Sequence, residues 1–263
     1  MSHKVRKIIL PVAGIGKRLM PLTLTTPKNL IPLAGRPIVS YILDEIKKTE
    51  LEEVVLIVSP QHQGAYEEYI EEAGREYPKL KFHIRVQAEP LGHGHAILQA
   101  EDLIGEEPFL MRFCDDIILG GQPTLTRLIE LYEKKDRSAV LLARGPKEVI
   151  VRYGVVVAEP VLGEPDVYQI SNIIEKPPLA QVPSELYVIG GYVLGPEILK
   201  NLKEASLNMA HAADALPVYS GIDMEFKKGN YVYGWEFDGH RLDCGTLEGL
   251  KEAEEYMQRN KIA

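Results

Sequence analysis

The sequence predicts an α/β protein built on an open sheet of mostly parallel strands. Two patterns predict this class: short, continuous apolar runs, which are typical of strands buried on both faces, and intervening segments with a helical period. The first elements show both patterns, with apolar runs at residues 7–12 and 53–59 on either side of a helical pattern at 37–48. Together they form one βαβ unit, for which a right-handed crossover is expected.

The same patterns continue to about residue 145. An acidic amphipathic segment predicts a surface helix, and a glycine-rich turn opens a short helix. We expect the last strand of this half to end in Asp115 and Asp116, whose side chains should point to opposite faces because strand side chains alternate. In chain order, the further elements are a helix at 63–76, a strand at 81–87, a helix at 93–102 and a strand at 108–116.

After residue 145 the regular alternation weakens. Apolar runs separated by proline-rich turns predict strands, and two amphipathic patterns predict helices. The strands are expected at 153–159, 167–175 and 186–194, and the helices at 196–205 and 249–260. No low-complexity linker intervenes, so we expect an α+β elaboration on the same sheet rather than a separate domain.

Charge and composition exclude several classes of function. The chain of 263 residues has 30 Lys and Arg against 38 Asp and Glu, a formal net charge of −8, which argues against a broad surface for nucleic acid or anionic membranes. Two cysteines, Cys114 and Cys244, cannot form a disulfide framework. No apolar stretch approaches the roughly 20 residues needed to span a bilayer. We therefore expect a cytoplasmic protein without nucleic-acid or membrane partners.

A glycine loop follows the first predicted strand, within residues 10–32. Gly14 and Gly16 let backbone N–H groups converge on an anion, since glycine accepts positive φ values and close approach. Arg18 and Lys28 add two cations, which together predict a polyphosphate site. The loop lacks the third small residue and the later acidic residue of a dinucleotide fingerprint, and it lacks the hydroxyl residue of a P-loop.

These residues belong to a series of motifs that resembles the sugar-1-phosphate nucleotidyltransferases, most of all the bacterial and archaeal UTP–glucose-1-phosphate uridylyltransferases. A lone glycine loop is weak support, whereas seven segments in the family's order are specific. The segments are Gly-x-Gly-x-Arg with the following Pro-Leu-Thr and Pro-Lys-x-Leu-x-Pro (14–32), Gln87 with 91–96, Asp115-Asp116, 153–156, 175–177, 190–192 and 242–245.

The resemblance implies a Rossmann-like nucleotidyltransferase fold, with a mixed, mostly parallel central sheet flanked by helices and an α+β sugar-binding elaboration. It implies a single domain over residues 1–263, of which about 1–145 bind the nucleotide and about 146–263 bind the sugar phosphate. The implied reaction converts UTP and glucose 1-phosphate into UDP-glucose and pyrophosphate, by magnesium-assisted in-line attack on the α-phosphorus. Relatives form homo-oligomers, so a dimer or tetramer is expected.

By position in the matching motifs, the resemblance assigns Mg²⁺ to Asp115 and Asp243. Two carboxylates suit this ion, which prefers one or two of them together with phosphate oxygens and water. Arg18 and Lys28 are assigned to the triphosphate, where positive charge stabilises the departing pyrophosphate. Lys176 is assigned to the phosphate of the sugar. The expected catalytic residues are therefore Arg18, Lys28, Asp115 and Lys176.

The other assignments concern the base and the sugar. Gln87 can donate to and accept from a pyrimidine edge, and a glycine lets a ring approach the backbone. Glu175 is an acceptor for sugar hydroxyls. In full, the expected nucleotide-binding residues are Ala13, Gly14, Gly16, Arg18, Lys28, Gln87 and Gly92, and the expected sugar-phosphate residues are Gly154, Glu175, Lys176 and Gly191.

Competing hypotheses remain. Residues 20–23 (Met-Pro-Leu-Thr) resemble the thymidylyltransferases, and a methyl group on the base changes binding by only about 1–3 kcal/mol, so dTTP is an alternative substrate. A non-catalytic nucleotide-sugar sensor is a second alternative, but it should have lost a metal aspartate or a loop cation, and this chain retains them. A nicotinamide oxidoreductase is a third alternative, which Leu19 disfavours because a dinucleotide fingerprint has a small residue at that position. His93 and His95 lack the spacing of a zinc site, which favours capping or local hydrogen bonds.

Overall fold

The computed structural model describes residues 4–208 and 215–262. The strands are β1 (Lys7–Pro11), β2 (Pro32–Leu33), β3 (Arg36–Pro37), β4 (Glu53–Val58), β5 (Lys81–Val86), β6 (Phe109–Arg112), β7 (Asp116–Leu119), β8 (Ala139–Arg144), β9 (Gly154–Val161), β10 (Glu164–Glu175), β11 (Leu186–Leu194), β12 (Val232–Glu236) and β13 (His240–Asp243). The helices are α1 (Ile38–Ile46), α2 (Gln63–Glu76), α3 (His93–Leu98), α4 (Glu101–Ile104), α5 (Thr124–Lys135), α6 (Lys147–Ile150), α7 (Pro196–Leu207), α8 (Tyr219–Lys227) and α9 (Leu247–Asn260).

Of the described strands, nine form one mixed sheet in the order β5-β4-β1-β6-β11-β8-β12-β10-β9. The first four pair in parallel, as do β8 and β12, whereas β11 runs antiparallel to both β6 and β8. The pairs β12–β10 and β10–β9 are antiparallel. Strands from both halves of the chain therefore share one sheet, as expected, although its parallel share is smaller than the apolar runs predict.

Hydrophobic side chains pack on both faces of this sheet. In β1 the alternation is direct, since Ile8 and Leu10 belong to the core on one face and Ile9 to the core on the other, all fully buried. This two-sided burial explains why the strand is a continuous apolar run. A third, smaller core joins the loop after β1 to helix α9, through side chains that include Leu19 and Met257.

Two features of the topology bring distant segments together. The strands β1 and β6 are parallel neighbours, and the loops that follow them start at the same edge of the sheet. The strand order changes direction between these two strands, and ligands of open α/β sheets bind at such a point. Strands β7 and β13 form a separate antiparallel ribbon that pairs Asp116 with Asp243. The C-terminal segment is thereby placed beside the turn after β6.

The prediction of one strand over residues 108–116 is wrong. β6 ends at Arg112 and β7 begins at Asp116, with a turn at residues 113–115 between them. Continuous hydrophobicity does not distinguish one long strand from two short strands joined by a turn that contains apolar residues. The turn places Asp115 between the two strands and Asp116 at the start of β7.

The helices also differ from the expectation in places. The single helix expected at 93–102 is two short helices, α3 and α4, and sequence analysis did not predict α5 or α8. Within residues 4–208 and 215–262, no helix has both the length and the apolar character required to cross a bilayer.

Candidate active site

A cleft of about 770 Å³ opens beside the loops that follow β1 and β6. Segments far apart in the sequence form its walls. Of the residues predicted for the site, the cleft brings together Arg18, Asp115, Gly154, Glu175, Lys176 and Asp243. Its walls also carry residues to which the sequence assigned no role, among them Arg152, Tyr153, Tyr219 and Arg241.

Asp115 and Asp243 converge at Gly245. Oδ2 of Asp115 and Oδ1 of Asp243 lie 2.9 and 3.0 Å from the position that a Cβ would take on this glycine, and a guanidinium nitrogen of Arg18 lies 3.3 Å from it. The backbone supports this arrangement, because the N–H of Cys244 donates to the Asp115 carbonyl (2.8 Å). The N–H of Gly245 donates to Oδ1 of Asp243 (3.0 Å). A side chain at position 245 would fill the space between the two carboxylates.

Lys28 is ion-paired with Asp115, with 2.6 Å between Nζ and Oδ2. Burial acts to raise the pKa of the Asp115 carboxyl, but the charges of Lys28 and Arg18 outweigh burial and hold that pKa below its usual range. Asp115 is therefore ionised at neutral pH. Gly16, with φ 69°, lets the loop approach Lys28 closely: a Cβ on this glycine would lie 3.2 Å from Cβ of Lys28.

Arg241 of β13 links the two acidic segments. Nε of its guanidinium donates to Oδ1 of Asp116 (2.7 Å). A terminal nitrogen is ion-paired with the same oxygen (2.5 Å) and lies 3.6 Å from Oδ2 of Asp243. Burial raises the pKa of the Asp116 carboxyl, but the charge of Arg241 and the N–H of Gly190 (3.2 Å) favour the ionised form. Tyr153 completes the network, since its hydroxyl donates to Oδ2 of Asp243 (3.3 Å) and accepts from Arg241 (3.2 Å).

Sequence analysis missed Arg241, although a signal was present. Arg241 precedes Asp243 by two residues, so the two side chains share one face of a strand. The local pattern at 240–243 predicts no strand, so the sequence alone could not show that Arg241 and Asp243 lie on the same face.

Gly190 lines the cleft, and Gly191 does not face it. A Cβ on Gly190 would lie 2.5 Å from Cβ of Phe113, in the turn that carries Asp115. A Cβ on Gly191 would instead lie 3.1 Å from Leu141 in the core. Adjacent residues of a strand face opposite sides, so Gly190, and not the expected Gly191, lines this cleft. The assignment of Gly191 to the sugar phosphate stays a prediction.

The end of β10 and Tyr219, the first residue of α8, also line the cleft. The hydroxyl of Tyr219 donates to Oε2 of Glu175 (2.7 Å), and Oε1 of Glu175 lies 3.3 Å from Nζ of Lys176. Gly154 pairs with Glu175 in the sheet, and a Cβ on this glycine would lie 3.4 Å from Oε2 of Glu175. The Lys176 side chain is 68% exposed, so its ammonium group can move towards a bound anion.

Gln87 and Gly92 contact each other at the start of α3. The side-chain amide of Gln87 donates to the Gly92 carbonyl (3.0 Å) and lies 3.0 Å from Nδ1 of His95. Gly92 has φ 90°, and a Cβ there would lie 2.7 Å from the Leu216 carbonyl oxygen. Packing against residue 216 therefore requires glycine at this position independently of any ligand.

His93 faces the cleft as a neutral imidazole. The N–H of Val218 donates to its Nδ1 (2.9 Å), so this nitrogen carries no proton. Burial lowers the pKa of His93 to about 4. The ring packs edge-on against Phe113 and Tyr219. These contacts agree with the expectation of local hydrogen bonding for this histidine.

Comparisons with known proteins match nearly the whole chain. A family model described as "Nucleotidyl transferase" matches residues 6–260. The chain is 32% identical to a UTP–glucose-1-phosphate uridylyltransferase of Bacillus subtilis (strain 168), over 94% of this chain and 89% of the relative. It is 31% identical to a protein of the same name from Staphylococcus haemolyticus (strain JCSC1435), over 98% of this chain and 94% of the relative.

The structure is also similar to solved structures. A UDP-glucose pyrophosphorylase complexed with UDP-glucose superposes with a TM-score of 0.86 at 29% identity, over 97% of this chain and 99% of that chain. An apo UDP-glucose pyrophosphorylase superposes with a TM-score of 0.88 at 28% identity, over 98% and 99%. The expected nucleotidyltransferase fold is confirmed, and the chain belongs to the nucleotidyl transferase family.

Proposed function

We propose that this protein transfers the uridylyl group of UTP to glucose 1-phosphate, which gives UDP-glucose and pyrophosphate. The observation that carries the proposal is the convergence of Asp115, Asp243 and Arg18 in a cleft that Glu175 and Lys176 also line. The choice of substrates rests on the similarity to the uridylyltransferases of B. subtilis and S. haemolyticus.

Mg²⁺ is the cofactor that suits the aspartate pair. Asp115 and Asp243 bring carboxylate oxygens to within 3.0 Å of one point, and carboxylates are the hard oxygen donors that Mg²⁺ selects. Within residues 4–208 and 215–262, no three His, Cys, Asp or Glu side chains are grouped as a metal cage, which fits an ion that also takes phosphate oxygens and water as ligands. When bound, Mg²⁺ would neutralise phosphate charge at the reacting centre.

The remaining charged residues bring two anions together. For the phosphate oxygen of the sugar to attack the α-phosphorus in line, repulsion between the substrates has to be cancelled and their approach oriented. On the nucleotide side we assign this task to Arg18 and Lys28. On the sugar side, Lys176 binds the phosphate, Glu175 accepts hydrogen bonds from hydroxyl groups, and Gly154 leaves room for the sugar ring.

We assign the base and ribose to the glycine loop and to the start of α3. Gly14 is exposed, with no atom within 4 Å of the position of a Cβ, so its backbone is open to a ligand beside the buried Ala13 and the turn at Gly16. The amide nitrogen of Gln87 is held by Gly92 and His95, and its Oε1 offers an acceptor to a pyrimidine edge. Thymine differs from uracil by one methyl group, worth about 1–3 kcal/mol in such a pocket, so dTTP is the second candidate substrate.

The proposal extends to the organisation of the molecule. Arg18 and Asp115 lie in residues 1–145, which we assign to the nucleotide, and Glu175 and Lys176 lie in residues 146–263, which we assign to the sugar phosphate. Within a single domain, Asp243 is then the residue of the second part that completes the metal site of the first. We also propose a cytoplasmic homo-oligomer, a dimer or tetramer, which light scattering after size-exclusion chromatography will test.

Pyrophosphate release tests the proposed reaction. UTP, dTTP, ATP and GTP are each assayed with glucose 1-phosphate, galactose 1-phosphate and mannose 1-phosphate, with Mg²⁺ or with EDTA. We expect the highest kcat/KM for UTP with glucose 1-phosphate and loss of turnover in EDTA. A clear preference for dTTP would support the thymidylyl alternative. Tight binding of UDP-glucose without turnover of any pair would identify a non-catalytic sensor.

A further inference from the structure

We propose that Arg112, at the end of β6, is the positioning residue that sets the conformation of the turn carrying Asp115. The inference rests on the proposed function in one respect, since it takes Asp115 as a ligand of the metal ion. Arg112 lies outside the seven motif segments, and its burial and its contacts indicate its role.

The position of Arg112 is unusual for a charged residue. Its side chain is completely buried, with 0% exposure, next to the apolar residues 109–111 of the same strand. Removing a guanidinium group from water costs several kcal/mol unless its N–H groups are hydrogen-bonded and its charge is compensated. An apolar side chain would avoid this cost, so the contacts that offset it indicate what the residue does.

The guanidinium group of Arg112 donates to three backbone carbonyls around the turn. One terminal nitrogen donates to the carbonyls of Gly190 (3.0 Å) and Phe113 (3.3 Å), and the other donates to the carbonyl of Asp116. Phe113 and Asp116 lie on either side of the Cys114-Asp115 pair. The planar, forked geometry of arginine therefore joins the two ends of the turn, which a single-point donor could not do.

Gly190 of β11 holds the same turn from the other side. The N–H of Phe113 donates to the Gly190 carbonyl (2.7 Å), and the N–H of Gly190 donates to Oδ2 of Asp116 (3.2 Å). The Asp115 carbonyl accepts from the N–H of Cys244. The backbone on both sides of Asp115 is thus fixed, which leaves its carboxylate directed towards Lys28 and the site at Gly245.

Glu45 of α1 is an acidic group whose carboxyl interacts electrostatically with Arg112. Burial raises the pKa of the Glu45 carboxyl, and the positive charge of Arg112 acts in the opposite direction. Among the described residues, Oε2 of Glu45 and Nε of Arg112 are both buried without a hydrogen-bond partner. When ionised, this carboxylate would reduce the cost of keeping the guanidinium charged inside the protein.

The experiment compares Arg112→Met and Arg112→Lys with the wild-type protein. Arg144→Met is the matched control, because Arg144 also ends a strand of the sheet but donates to Glu236 at the protein surface. For Arg112→Met we expect kcat to fall by about 10–100-fold and the Mg²⁺ concentration for half-maximal activity to rise about 10-fold, since supporting contacts of a metal ligand have effects of this size. KM for UTP should change far less. Arg112→Lys should recover only part of the loss, because it keeps the charge but lacks the fork.

Binding of Mn²⁺, measured by electron paramagnetic resonance with and without UDP-glucose, gives a readout independent of turnover. Weaker Mn²⁺ binding in both Arg112 variants, with Arg144→Met unchanged, supports the proposal. A folded Arg112→Lys protein with wild-type Mn²⁺ affinity and Mg²⁺ dependence, and only a lower Tm, would overturn it. If Arg112→Met does not fold, the Mn²⁺ affinity and Mg²⁺ dependence of Arg112→Lys decide between these outcomes. If the wild-type protein releases no pyrophosphate, but the Arg112 variants bind Mn²⁺ more weakly than it does, the proposed reaction is refuted and the positioning role is not.

Discussion

The ammonium nitrogen of Lys28 lies 2.6 Å from Oδ2 of Asp115, so the cation assigned to the triphosphate and the carboxylate assigned to the metal are ion-paired with each other. Their side chains are only 19% and 18% exposed, and a partly buried pair is screened little by salt. Binding of UTP with Mg²⁺ would give each group a further partner of opposite charge. The ion pair therefore holds both charged groups in place before UTP and Mg²⁺ bind.

Lys28→Met should weaken UTP binding. The loss of a charged hydrogen-bond donor to the triphosphate is expected to raise KM for UTP by about 10–100-fold. Steady-state kinetics with varied UTP measures the effect. Lys17→Met, which removes the same charge from an exposed position in the same loop, is the control and should have a near wild-type KM. Equal effects of the two substitutions would mean that only the net charge of the loop matters.

Asp115→Asn and Asp243→Asn should each abolish most turnover while the protein stays folded. Both substitutions keep the size of the side chain and remove a negative charge from the proposed metal site, so we expect kcat to fall by about 10³-fold or more. Pyrophosphate release measures activity, and circular dichroism measures folding. Asp223→Asn, on the surface of α8, is the control. Full activity of either Asn variant would contradict the assignment of the metal ligands.

Tyr219→Phe should affect the sugar substrate alone. The substitution removes the hydroxyl that donates to Oε2 of Glu175, and hydrogen bonds to charged groups are worth about 1.5–3 kcal/mol. We expect KM for glucose 1-phosphate to rise about 10-fold, with KM for UTP unchanged. A rise in KM for UTP instead would place the nucleotide, rather than the sugar, at this wall of the cleft.

Gly190→Ala should distort the turn that carries Asp115. A Cβ there would lie 2.5 Å from Cβ of Phe113, so either the turn or β11 has to move, at a cost of about 1–3 kcal/mol of stability. We expect this movement to displace the Asp115 carboxylate and to lower kcat by about 10²-fold. Gly74→Ala, on α2 with no atom within 4 Å of the Cβ position, is the control. Wild-type kcat in Gly190→Ala would show that the turn tolerates this movement.

His93 should make stability depend on pH. The pKa of His93 is lowered to about 4 by burial and by the charge of Lys176, from the ordinary value of 6.5. As the pH falls from 6.5 towards 4, the unfolded chain binds a proton that the folded protein does not, so the free energy of unfolding decreases, by up to about 3 kcal/mol from this residue. Above pH 6.5 both states are neutral and the contribution vanishes.

His93→Asn removes this titration and keeps an acceptor for the N–H of Val218. Urea unfolding at about pH 7 and about pH 4.5 should therefore show a smaller loss of stability in the variant than in the wild-type protein. Identical losses of stability in the two proteins would show that the pKa of His93 in the folded protein is not lowered.

Several features of the fold could be predicted because the signal for each is local. The strand at β1 and the helix at α2 follow from hydrophobic period alone, since burial on two faces or on one stripe leaves its pattern in consecutive residues. The turn at residues 113–115 could not be predicted in this way. Phe113 and Cys114 continue an apolar run, and the hydrogen bonds that hold the turn include partners far away in the sequence, Gly190 and Cys244.

The sequence by itself determined the α/β class and the motif residues that belong to the nucleotidyl transferase family, because glycine loops and charged dipeptides keep their chemistry wherever they lie. Only the tertiary structure decided which of these residues meet. Asp243 lies beside Asp115, and Gly190 rather than Gly191 faces the cleft, because strand order and register place them there. Register depends on pairing between distant strands, and a shift of one residue reverses which side chains face the site.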